Sequence, residues 1–259
     1  MSTHLGSFQM PTLATLKETP ALTAGLPIFT FFLLVVDLVT SHSLSEMFSL
    51  YPGAILAFDL NRLSFYLLFH KDIIHWALNI FALWTPLSIY ERTHGTVNTG
   101  ITLNLLAVVT GLQFSLVGYF LFPEMHVVGL SGVVFSFLAF TAYKEHFSTP
   151  VIYTLRVQGR EVSIPTLYSP LLFVIVCAIL LPASSIWGHL FGVFAGYLLG
   201  MDRLAFMFPP SKVVLWIEDK LSGAIGLLDG LVLFIREVDA VSIRGFSYAP
   251  IFSADPEAN

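Results

Sequence analysis

Six apolar segments dominate this sequence, near residues 24–41, 72–90, 97–121, 129–144, 167–182 and 185–202. Crossing a hydrocarbon layer about 30 Å thick takes roughly 20 apolar helical residues. The pattern therefore predicts an all-α polytopic membrane protein, a bundle of six transmembrane helices. Composition agrees: of 259 residues, 56% are hydrophobic and 11% charged, and the mean hydropathy is +0.80. A soluble domain carries about 25% charged residues. A water-soluble globule of this size could not hide so much apolar surface, and a disordered chain would not carry it. With 12 Lys+Arg against 17 Asp+Glu, no nucleic-acid partner is expected; the expected surroundings are the lipid bilayer. The segments 129–144 and 167–182 are short for full spans, as helices can be where they end beside cavities or protein.

Six spans place both termini on one side. Lys17, Arg92, Lys144, Arg156, Arg160, Arg203, Lys212, Lys220, Arg236 and Arg244 fall on that side, and only Arg62 and Lys71 on the other. Positive charge concentrates on the cytosolic side, so both termini are expected in the cytosol and residues 42–71, 122–128 and 183–184 on the lumenal or extracellular face. Residues 1–23, the cytosolic N-terminal segment, hold one Lys, one Glu and no Arg. They do not resemble a mitochondrial presequence, and the first span reads as an uncleaved signal anchor for the secretory pathway. Beyond the 24–202 core, residues 203–259 form a cytosolic tail. Within it, 212–236 mixes apolar and charged residues, and its longest apolar part, 224–235, is interrupted by Asp229. That length does not span a bilayer. It predicts an amphipathic helix on the membrane surface, or else one packed under the bundle.

Polar side chains inside spans are costly and mark functional candidates. They are His75 and Asn79 in HWALN, Ser131 in GLSG and His189 in GHLFGVFAGYLLG. Spans two, four and six all start from the lumenal side, so these four residues lie at one depth. A serine nucleophile needs a general base, and histidine is the usual one. Ser131 at a helix N-terminus has unpaired N–H groups around it that can hold a developing oxyanion. His75 and Asn79, four apart, share a helical face and can donate to the same oxyanion. No acid is placed to orient His189, so the set reads as a dyad.

Gly188, Gly192, Gly196 and Gly200 recur every four residues and make a groove that another helix backbone can approach. Gly132, Ser136 and Ala139 are the small residues that span four offers to it. Val193 and Leu198 are expected to face lipid or looser packing. The single cysteine, Cys177, cannot form an internal disulfide. No Cys/His grouping has zinc spacing, so neither metal nor cofactor is expected. Asp37, without a second aspartate, reads as a hydrogen-bonding residue at the lumenal edge.

Singly each motif is weak; jointly, in this order and at one depth, they resemble the rhomboid intramembrane serine proteases. The family pattern of H-x-x-x-N, G-x-S-G and G-H-x-x-G-x-x-x-G is matched at His75–Asn79, Gly129–Gly132 and Gly188–Gly196. Glu91 and Gly95 match the family's Glu and Gly after the second core span. The likeness covers roughly 24–202 and is greatest to the six-span fungal Golgi rhomboids, with SIPTLY at 163–168. Asn61-Arg62 stands where the family often has Trp-Arg, and Phe135 where Tyr is common. The resemblance implies Ser131 as nucleophile and His189 as base. It also implies an oxyanion hole from His75, Asn79 and the Ser131 N–H. The implied partners are transmembrane protein substrates cut near their lumenal ends, and the implied place is the Golgi membrane, with ER or endosome as alternatives. The other reading is a rhomboid-like pseudoenzyme that binds transmembrane helices without cutting; such relatives typically lose the Ser or His, and this chain has both.

Overall fold

The computed structural model describes residues 17–244 apart from 158, 183 and 229. Most of the N-terminal segment, Asp229 and the tail beyond 244 therefore lie outside the described residues. Helices α1 (Ala21–Val39), α4 (Ile73–His94), α5 (Thr96–Leu121), α6 (Ser131–Glu145), α7 (Ser169–Leu180) and α8 (Ile186–Gly200) fall on the six apolar segments. Short helices α2 (Ser43–Phe48) and α3 (Arg62–Phe65) lie in the first connection. By length and composition α1, α4 and α5 can each cross a membrane.

Helix α6 has 15 residues, about 22 Å at the helical rise. It is short because it is the central strut: Phe137 and Ala139 are fully buried and Val133, Phe135 and Phe140 nearly so. A helix clothed in protein can satisfy its ends without reaching either lipid surface. Its main partner is α8, and α7 packs more loosely, with only Pro170 and Val174 buried.

Buried carboxyl groups fix the two ends of α1. Glu91 accepts from Leu22 N–H, Thr23 N–H, the Thr23 hydroxyl and the Thr96 hydroxyl, each at 2.8 Å. It thus satisfies two of the donors that a helix start leaves open and ties α1 to the α4–α5 turn. That turn needs Gly95, whose φ is +85°. At the far end Asp37 accepts from Ser45 N–H at 2.8 Å, from the Ser45 hydroxyl and from His42 Nδ1.

The stretch 212–236 is not the single amphipathic helix its composition suggested. It forms α9 (Ser211–Lys220), α10 (Ser222–Leu228) and an extended strap leading to α11 (Glu237–Arg244). Gly223 and Gly226 weaken helix propagation, and Gly230 turns the chain with a φ of +78°. The strap then meets open backbone groups: Ala21 N–H donates to Leu233 O and Leu233 N–H to Thr19 O, both at 2.9 Å, and Thr96 N–H donates to Ile235 O at 2.9 Å. Val214, Glu218, Ile225 and Ile235 are buried against the bundle, whereas Trp216, Leu227 and Leu231 are exposed.

Sequence reading left the α6–α7 connection unassigned. It is a hairpin of β1 (Val151–Val157) and antiparallel β2 (Arg160–Pro165).

Candidate active site

Three helix starts converge. Asp72 caps α4, accepting from His75 N–H at 2.8 Å, and so fixes the first turn from which His75 and Asn79 project. Ser185 caps α8, accepting from Gly188 N–H at 3.1 Å, one residue before His189. Ser131 is the first residue of α6, where the leading N–H groups have no partner within the helix.

The loop before Ser131 is held from outside. Leu50 and Val127 exchange two backbone hydrogen bonds at 2.9 Å, and Gly129 N–H donates to Tyr66 O at 3.0 Å. Gly129 has a φ of +117°, and a Cβ there would lie 2.7 Å from Cε1 of His75. Only glycine allows both the conformation and the approach of that ring.

His75, Asn79, Ser131 and His189 all line one cavity of about 830 Å3. His189 is buried and its ring stacks on Phe135 at 4.4 Å. No hydrogen bond joins Ser131 to His189 among the described residues; the two share the cavity wall. Buried His189 Nδ1 has no hydrogen-bond partner among the described residues. Asn79 is buried, and its amide donates to His75 O at 2.9 Å. Phe173, Cys177 and Leu180 of α7 form a side wall.

Two of the four ladder glycines let backbones touch. A Cβ on Gly192 would lie 2.2 Å from Gly132 O, and one on Gly196 2.0 Å from Ser136 O. Between them the Ser136 hydroxyl lies 2.9 Å from both Gly132 O and Gly192 O, bridging α6 and α8. Gly200 meets the Tyr143 ring instead, at 2.9 Å. A Cβ on Gly188 would meet only its own cap, Ser185, at 3.4 Å, while the Gly188 carbonyl faces Gly132. Val193 departs from expectation: it is buried in a cluster with Phe135, Ala139 and Val174, because α7 closes over that side of α8. Leu198 is half-buried beside the main core, and Phe194 is the exposed residue of this stretch.

Sequence reading passed over His70. It is fully buried, its Nε2 accepts from Leu130 N–H at 3.4 Å, and its ring meets that of His75 edge-on at 5.4 Å. Burial, with His75 beside it, pulls its pKa down to about 3, which keeps the ring neutral and Nε2 able to accept. A lone histidine in a loop carries no periodic signal that would have exposed it.

Fold and cavity together define a helical membrane protein with a serine and a histidine on one internal wall. A model of the rhomboid domain matches residues 57–205. The chain is 57% identical to a "Rhomboid-type serine protease 2" of Debaryomyces hansenii, over 98% of this chain and 89% of that one. Proteins of the same name from Candida albicans and Saccharomyces cerevisiae are 44% and 36% identical over 92% and 91% of this chain, and 84% and 88% of theirs. The chain belongs to the rhomboid family of intramembrane serine proteases.

Proposed function

We propose that this chain is an endopeptidase that cuts transmembrane segments of membrane proteins near their lumenal ends, with Ser131 and His189 as its dyad. The observation that carries the reading is the sharing of one cavity by Ser131, His189, His75 and Asn79. Ser131 Oγ attacks the scissile carbonyl while His189 takes its proton and later passes it to the leaving amine. The hydrogen bond between them forms when substrate fills the cavity, as catalytic contacts often close only in the complex. The Ser131 N–H, the His75 ring and the Asn79 amide, turned from His75 O, donate to the oxyanion. Water then releases the acyl group.

The six apolar helices are read as six spans with both termini cytosolic, on the ten-to-two division of basic residues. The shortness of α6 suits this reading, because α6 is surrounded by protein. The exposed Trp216, Leu227 and Leu231 suit a tail whose outer face lies in the cytosolic interface. The likeness to fungal Golgi rhomboids favours the Golgi membrane. The test is a comparison of membrane-protein fragments in cells carrying the wild type or Ser131→Ala. Fragments that end inside or beside a transmembrane segment should vanish with the variant; an unchanged fragment set would overturn the reading.

A further inference from the structure

We propose that the β1–β2 hairpin is a membrane-docking element whose apolar face rests on the lipid surface beside the ends of α6 and α7. Its register separates two faces. Tyr153 pairs with Ile164 and Leu155 with Val162 on one face; Thr154 pairs with Ser163 and Arg156 with Glu161 on the other. The polar face is internally satisfied: the Thr154 and Ser163 hydroxyls are 3.3 Å apart, and Arg156 reaches Glu161 at 2.8 Å. The apolar face is open, with Tyr153 60%, Val162 49% and Leu155 42% exposed. A lone two-stranded hairpin is marginal in water, and along β2 this face goes from half-buried Ile164 to exposed Val162.

Lipid is the occupant the surroundings favour. Thr166 N–H donates to Pro150 O at 2.9 Å and closes the base of the hairpin, and the Tyr197 hydroxyl of α8 donates to Leu167 O and ties that base to the bundle. Exposed Phe147 precedes the hairpin and exposed Tyr168 follows it, leading into the exposed Leu172 and Ile175 of α7. Exposed apolar residues thus adjoin the hairpin on both sides along the chain. Tyrosine suits the membrane–water boundary. Arg160, exposed and on the same side of β2 as Val162 and Ile164, can reach headgroup phosphates on its long apolar stem. This inference goes beyond proteolysis and does not depend on it.

The test uses the full chain in phosphatidylcholine–phosphatidylserine vesicles. On a Cys177→Ala background, Tyr153→Cys and Leu155→Cys report one face and Thr154→Cys and Ser163→Cys the other, each carrying a nitroxide. Collision with oxygen, which enters lipid, is compared with collision with a water-soluble nickel chelate. The oxygen-to-nickel ratio at 153 and 155 should exceed that at 154 and 163 by roughly threefold or more, as for a face held in the interface. Equal ratios on both faces would mean the hairpin stands in water. Exclusion of both reagents at 153 and 155 would mean protein covers it. Either result overturns the proposal. If Leu155→Cys fails to fold, Val162→Cys reports the same face.

Discussion

The Cβ that Gly196 lacks would fall 2.0 Å from the carbonyl oxygen of Ser136. No side-chain rotation relieves such a contact, because both partners are helix backbone. Gly196→Ala and Gly192→Ala should therefore each push α8 away from α6, with overpacking costing about 1–3 kcal/mol. A shift of about 1 Å between Ser131 and His189 costs on the order of 100-fold in rate. Gly188→Ala and Phe194→Leu should be far milder, since one meets only its own cap and the other is exposed. Turnover beside thermal unfolding for the four variants decides it; equal behaviour would mean the approach of α6 and α8 does not set the geometry.

Ser136 makes a separate prediction. Its hydroxyl bridges the carbonyls of Gly132 and Gly192, next to Ser131 and one turn after His189. Ser136→Ala should cost roughly 1 kcal/mol of stability, the ordinary worth of such a bond. It should lower kcat with little change in KM, because substrate contacts stay intact. A KM effect alone would place Ser136 in substrate binding instead.

Much of this was legible in the sequence because burial in lipid leaves a coarse trace. Six apolar runs marked the helices to within a few residues, and His75, Asn79, Ser131 and His189 stood out as polar groups where none is cheap. What stayed hidden depends on partners distant in the chain. Val193 is buried only because α7 folds over it. His70 matters only because Leu130 comes to it. The strap at 233–235 forms because the starts of α1 and α5 present open backbone groups, which no local pattern records.

Glu91 should be structural. Four donors converge on its carboxyl group, and a glutamine offers one acceptor oxygen where two are used. Glu91→Gln should destabilise by about 1–3 kcal/mol and loosen the start of α1. Thermal unfolding and protease sensitivity near residue 20 measure this. An unchanged melting temperature would show that the network is not holding α1.

Orientation can be checked with tags. An epitope after Asn259 in sealed microsomes should be digested by added protease, whereas a glycosylation acceptor inserted near Leu60 should be modified. A protected tag and an unmodified acceptor would reverse the six-span topology.

The central claim is that Ser131, activated by His189, is the nucleophile. The most direct measurement is covalent labelling of the purified protein by a fluorophosphonate, with the modified residue located by mass spectrometry. The account predicts a single adduct on Ser131, formed at a rate that drops by roughly 1,000-fold or more in His189→Ala. Peptide-bond cleavage should be lost in step. An adduct at another serine, or undiminished cleavage by Ser131→Ala, would contradict it.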